Sequence, residues 1–240
     1  MIMQGKRVLI TGGAKRAGSF IVRNLAAAGC RVIIHCHTSV KEAELLASEL
    51  PGKGHRVIAA DLGSPDGVEQ LLEDAGNFEF LVNSAAIFHR PGSEEDRNSA
   101  ASYRQINFLA PRKLLEYFYE QGIPGSAAVN ITDAFALLPG EGAYWQSKRD
   151  LNELTFSLAP LWAAKDMRIN AVAPGPVLPP PWAPESRMEK ILKCVPLARP
   201  VSPEDLAETV RFLLTCRSIT GTVVPLDGGI SAAAPAFSNR

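Results

Sequence analysis

Arg7-Val8-Leu9-Ile10, followed by Thr11-Gly12-Gly13-Ala14-Lys15-Arg16-Ala17-Gly18, is an apolar run that ends in a glycine-rich turn. The apolar residues read as a buried strand, and the glycines stop it. Residues 16–28 then read as a helix, with Phe20, Ile21, Leu25 and Ala28 on its inner side and Gly29 at its end. The same alternation continues outward from this unit. Arg31–His35, Arg56–Ala60, Phe80–Val82, Ala127–Ile131, Arg168–Val172 and Thr222–Leu226 read as further strands. Helices are expected over residues 40–50, 65–74, 94–120, 142–164 and 203–216, and Ser64-Pro65 marks the start of one of them.

Strand and helix alternate to the end, which predicts an α/β chain with a doubly wound, mostly parallel seven-stranded sheet and helices on both faces. This is a single-domain Rossmann fold over residues 1–240, with no internal repeat and no composition break. The stretch holding Pro174, Pro176, Pro179, Pro180, Pro181 and Pro184 is too long for a plain turn. It predicts a substrate loop at residues 177–195.

Hydrophobic residues make up 46% of the 240 and charged residues 21%, enough for one core without staples and against disorder. Lys plus Arg and Asp plus Glu are 25 each, so neither a nucleic-acid footprint nor a membrane-surface patch is expected. No apolar stretch approaches the ~20 residues of a membrane helix. Met1–Arg7 carries no signal-peptide pattern, so the expectation is a cytoplasmic protein acting on a small molecule. Cys30, Cys36, Cys194 and Cys216 form no C-x-x-C pair and read as reduced thiols. His35 and His37 share a strand face, and a cofactor-binding or core role fits them better than a metal.

The glycine turn stands where a doubly wound sheet binds a dinucleotide: glycine lets backbone approach pyrophosphate, and the helix N-terminus adds free N–H groups. Gly12, Lys15, Arg16, Ala17 and Gly18 are the candidate contacts. A site for NAD usually presents an acid about 20 residues further on, for the ribose 2′-OH. Here the second strand ends in His35-Cys36-His37-Thr38-Ser39, and the first carboxylate, Glu42, falls inside the next helix. A 2′-phosphate would meet no repulsion, so NADP(H) is the expected cofactor. Arg16 either pairs with that phosphate, helped by His37, Thr38 and Ser39, or is a solvated cation at the helix start. Asp61, before Leu62, either bonds the adenine amino group or caps the next helix. Small residues at Asn83-Ser84-Ala85-Ala86 would let backbone lie close to the nicotinamide half.

Tyr144 and Lys148 are four apart in a helical segment and share a face. A neighbouring ammonium favours phenolate, lowering the tyrosine pKa from about 10 and making Tyr144 a usable proton donor and acceptor.

With these residues in place, the chain resembles the short-chain dehydrogenase/reductase family over nearly its full length. The matching pieces, in order, are Thr11–Gly18, Asp61, Asn83–Ala86, Asn107, Asn130-Ile131-Thr132-Asp133, Tyr144–Lys148, Pro174-Gly175-Pro176 and Leu226-Asp227-Gly228-Gly229. The resemblance implies a seven-stranded sheet, a homotetramer, Tyr144 as proton donor and Lys148 on the nicotinamide ribose. It also implies a water held by Asn107 in a proton relay, and contacts to the nicotinamide amide from Pro174 to Val177, Gly175 included. Thr132 joins the implied cofactor contacts.

Departures from the family pattern point to the substrate. Asp133 stands where the family usually has Ser, Asn83-Ser84-Ala85-Ala86 lacks the family's second Asn and its Gly, and Arg16 replaces a glycine. Arg16 and Asp133 together are similar to the pteridine reductases and dihydromonapterin reductases. Phe88 falls where those enzymes stack a pterin ring, whereas Ala86 replaces their usual Ser. The chemistry agrees: reducing a ketone builds charge on oxygen, which a carboxylate would repel. Reducing a C=N bond needs a proton at nitrogen, which Asp133 beside Tyr144 can relay. The other reading of Asp133 is a turn residue, with Thr132 in the serine's role. Phe88 can equally be packing under a loop. The functional expectation is an NADPH-dependent dihydropterin reductase with Arg16, Phe88, Asp133 and Tyr144 at the substrate. The alternatives are a 3-oxoacyl thioester or other carbonyl reductase, and a non-catalytic NADP-binding regulator.

Overall fold

Val8 and Ile10 of the first strand belong to one apolar cluster and Leu9, between them, to another. A strand buried on both faces in this way lies inside a sheet covered by helices on either side. The computed structural model describes residues 3–237; Met1, Ile2 and residues 238–240, the ends of the span expected to form the domain, lie outside the described residues.

The strands are β1 (Arg7–Thr11), β2 (Arg31–Cys36), β3 (Arg56–Ala59), β4 (Phe80–Asn83), β5 (Ala127–Ile131), β6 (Arg168–Pro174) and β7 (Val223–Leu226). The helices are α1 (Arg16–Ala27), α2 (Val40–Glu49), α3 (Pro65–Ala75), α4 (Glu94–Asn98), α5 (Ala100–Arg104), α6 (Ala110–Gln121), α7 (Ala143–Ala163), α8 (Glu185–Leu192), α9 (Pro203–Thr215) and α10 (Ile230–Phe237). All seven strands join one sheet in the order β3-β2-β1-β4-β5-β6-β7, every pair parallel. The order reverses between β1 and β4, which opens a crevice at their carboxyl ends. On one face Ile21 and Leu25 of α1 pack with Leu206 and Val210 of α9. On the other, Leu71 of α3, Leu114 and Phe118 of α6 and Trp162 of α7 form the second layer. Each such side chain contributes about 1.5–3 kcal/mol by leaving water.

The expected helix over 94–120 is not continuous. Ser93 caps α4, accepting from Asp96 N at 3.1 Å, and the helix ends at Ser99. Between α5 and α6 one turn, Gln105–Leu109, winds as a π-helix. Pro111 explains it: without an N–H, proline offers no α-helical bond to the Asn107 carbonyl. The expected loop at 177–195 contains α8, because the prolines all precede it and Pro184 occupies its N-cap. A further helix, α10, follows the last strand, where Asp227 accepts from Gly229 N and Ser231 N, both at 2.8 Å.

β7 is an edge strand. Its Thr222 and Leu226 carbonyls accept from Ala171 N and Gly175 N of the β6 side. Alternation along the ladder therefore turns Pro225 to the outer edge, where its missing N–H breaks no sheet bond.

Candidate active site

Two cavities meet at Arg16 and Ala17. The first, about 360 Å³, is the crevice beyond β1, β2 and β4. The glycine turn makes it by close backbone approach: a Cβ on Gly18 would lie 2.2 Å from Gly12 O, and one on Gly12 2.8 Å from Ala85 Cα. Thr11 Oγ1 accepts from Ser84 N at 3.0 Å and Ala85 N at 3.1 Å, tying the ends of β1 and β4 together. His35 ties β1, β2 and β3: Nδ1 accepts from Gly12 N at 3.2 Å and Nε2 donates to Ala60 O at 3.1 Å. That pattern requires a neutral ring, and burial pushes the His35 pKa down to about 4. His35 is thus a structural pin, while His37, past the strand end, is exposed and lines the crevice; the two do not act as a pair.

Gly12, Lys15, Arg16, Ala17, Gly18, His37, Asp61, Leu62, Ser84 and Ala85, all expected at the cofactor, line this crevice. Ile87 and Ile106 line it too and were not anticipated; their signal, an apolar residue after a small-residue run, is too common to read. Lys15 sits at the N-cap of α1 and makes no side-chain cap, so the first-turn N–H groups lack a side-chain acceptor there and suit an anion. The capping alternative for Asp61 falls away, because Ser64 caps α3, accepting from Gly67 N at 3.0 Å. Asp61 Oδ1 instead accepts from Gly63 N at 2.8 Å and stands 3.9 Å from His37 Nε2. Glu42 falls inside α2, as expected, and from the first turn of that helix pairs with Lys15 at 2.6 Å. Thr38 and Ser39 line neither cavity.

The second cavity, about 400 Å³, is mostly apolar; Phe88, Asp133, Trp145, Gly175, Val177, Met188 and Ile191 are among its walls. Arg16 is exposed, and in this arrangement its Nη2 is engaged. Held at φ +53°, it donates from Nη2 to Leu178 O (3.2 Å) and Pro179 O (2.8 Å). A second strap joins the same loop: Trp182 Nε1 donates to Phe88 O at 3.3 Å, with the Arg187 guanidinium 4.7 Å over the Trp182 ring.

Beside this cavity α7 supplies Tyr144 and Lys148, both buried. The Tyr144 hydroxyl donates to Asp133 Oδ2 at 3.0 Å, and Asp133 Oδ1 accepts from Phe135 N at 2.8 Å. Asp133 is therefore a turn cap and a partner of the phenol at once. Thr132 does not take the serine's place, since its hydroxyl donates to Val172 O at 3.2 Å. Lys148 Nζ donates to Ile131 O at 3.0 Å. The expected lowering of the tyrosine pKa is not met: burial and the Asp133 charge push Tyr144 well up. Burial also raises Asp133 and lowers Lys148 to about 8. The Phe88 ring lies 4.5 Å from the Tyr144 ring, between centroids, and covers the phenol. Asn107 is buried in the π turn, and its amide is engaged: Oδ1 accepts from Ile87 N (2.9 Å) and Nδ2 donates to Ile87 O (3.1 Å) and Ser147 Oγ (3.3 Å). Asn83 is buried and donates to Asn130 Oδ1 at 2.9 Å, bracing β4 on β5 away from both cavities, while Pro174 ends β6.

A crevice at the switch point of a doubly wound sheet makes this a nucleotide-binding α/β protein, and the phenol, carboxyl and ammonium beside it suit proton transfer. The chain belongs to the short-chain dehydrogenase/reductase family of oxidoreductases; the matching family model, described as "Enoyl-(Acyl carrier protein) reductase", spans residues 13–231. It is 31% identical to L-xylulose reductase of Bos taurus over 243 residues, covering 96% of this chain and 98% of that one. Among solved structures it is similar to FolM alternative dihydrofolate reductase 1 from Brucella suis in complex with NADP: TM-score 0.85, 33% identity, 97% of each chain. A putative betaketoacyl-ACP reductase matches with TM-score 0.83 and 29% identity, over 96% of this chain and 99% of that one. Among the described residues no helix is long and apolar enough to cross a membrane.

Proposed function

We propose that this chain is an NADP(H)-dependent reductase of a small-molecule C=N bond, with a dihydropterin as substrate. The observation that carries the reading is the Asp133 carboxyl on the Tyr144 hydroxyl at 3.0 Å, where the resembled family has a neutral serine. The likeness to a dihydrofolate reductase structure with NADP supports it. Gly12, Lys15, Arg16, Ala17, Gly18, His37, Asp61 and Leu62 would hold the dinucleotide in the crevice they line. NADPH supplies the hydride when bound. Tyr144 is kept protonated by burial and Asp133 is raised toward neutrality, so the pair holds a transferable proton beside the cavity where a flat ring would lie against Phe88. Lys148 contributes positive charge that keeps a carboxylate tolerable there. The protein is further read as one domain with a substrate loop at 177–195, cytoplasmic, and a homotetramer or homodimer.

Oxidation of NADPH with 7,8-dihydrobiopterin and dihydromonapterin tests the assignment. Turnover is expected, and Asp133→Ala lowers kcat by about 100-fold or more; pterin turnover indifferent to that change refutes it. Asp133→Asn retains the cap to Phe135 and separates folding from proton transfer. The second reading, a carbonyl reductase, is favoured by the likeness to L-xylulose reductase and to a betaketoacyl-ACP reductase. It predicts ketone turnover in the native chain exceeding pterin turnover.

A further inference from the structure

We propose that Glu42 sets how strongly the crevice prefers a dinucleotide bearing a 2′-phosphate, by competing with that phosphate for Lys15. The inference rests on the crevice being the dinucleotide site. In a doubly wound sheet the adenosine ribose lies at the end of β2. Lys15 lines the crevice and Glu42 holds it from the first turn of α2 at 2.6 Å. Both charges act on Cys36, the last residue of β2, which places the pair at that strand end.

The other side chains able to carry positive charge here are exposed and only partly engaged. Arg16 donates to the Leu178 and Pro179 carbonyls, and His37 stands beside Asp61. Among the described residues lining the crevice, Lys15 is the cation that a carboxylate holds at 2.6 Å. A 2′-phosphate that takes Lys15 therefore meets the Glu42 carboxylate already on that ammonium, and either displaces it or sits beside a like charge. A ribose 2′-OH makes no such demand and leaves the pair closed. Lys15 and Glu42 are 50% and 51% exposed, so water readily solvates the displaced carboxylate. The exchange is then a modest opposing effect, of the size of an exposed ion pair.

Titration calorimetry of NADP⁺ and NAD⁺ against the full chain tests this, in the native protein, Glu42→Gln, Lys15→Met and the double variant. Glu42→Gln is expected to tighten NADP⁺ about two- to fivefold and to leave NAD⁺ within about twofold. In the Lys15→Met background the same change is expected to have no effect on NADP⁺. Weaker NADP⁺ binding by Glu42→Gln would mean that Glu42 positions Lys15 for the phosphate, and overturns the competition. Equal tightening of both dinucleotides, or tightening that survives Lys15→Met, overturns it too. Binding of neither dinucleotide by the native chain removes the reading of the crevice itself, a result distinct from these.

Discussion

Tyr144 is covered by Phe88, hydrogen-bonded to Asp133 and screened from water, and each of these keeps its proton on. Lys148 is a group of this cluster whose charge changes near neutrality. Burial lowers its pKa to about 8, against the opposing pull of Asp133. A lysine shifted down keeps its ammonium below that value and loses it above. The expected consequence is a kcat/KM for reduction that falls as pH rises through about 8, with Lys148→Arg carrying that limb beyond the accessible range. A pH–rate profile of both forms checks it. The residues of this cluster were legible in the sequence because spacing puts Tyr144 and Lys148 on one face and a departure singles out Asp133. Their partners were not. Whether an exposed cation meets a phosphate, a carboxylate or a carbonyl depends on chain far away, as with Arg16 and Leu178, 162 positions apart.

At the scale of elements, Gly175 and Pro176 are still tied by backbone bonds to Leu226 and Val201, and beyond them the segment to Leu192 carries two straps. Arg16 bonds its carbonyls at one end, and Trp182 reaches Phe88 further on. Arg16 adopts a left-handed backbone, φ +53°, which costs an L-residue about 1–2 kcal/mol relative to glycine. Arg16→Gly therefore relieves the backbone while removing the strap. Global stability in urea is expected to stay within about 1 kcal/mol of native, as the two changes offset. Amide exchange over residues 178–192 is expected to quicken by about tenfold or more, seen by mass spectrometry; unchanged protection would mean that the guanidinium does not restrain the loop. Proline spacing revealed the segment as irregular, yet concealed α8, since six prolines before a short amphipathic stretch read as one loop. The π turn was missed because one helix was expected over 94–120, straight through Pro111, whose missing donor matters on the continuous path from α5 to α6.

For the whole molecule, the fold was readable because each strand is a short apolar run bounded by turn residues, and parallel strands buried on both faces need no finer pattern. Right-handed crossovers implied a doubly wound sheet, while its strand order came from the structure. The crevice brings together backbone from β1, β2 and β4, so a ligand there is bound only by the folded chain. With NADPH at about 100 times its Kd, the linkage term is about 2.7 kcal/mol, or roughly 5–10 °C in the midpoint of thermal unfolding for a chain of this size. A melting curve with and without NADPH checks this, and an unmoved midpoint contradicts the site.

Pro225 gives the molecule's β7 side a property of its own. A chain seeking to lengthen the sheet there would look for outward-pointing amide hydrogens, and on this short rim the proline withholds one. Recruitment of a foreign strand, the usual first event when open sheets coalesce into fibrils, is thereby discouraged at that border, where a docking neighbour finds one backbone donor fewer.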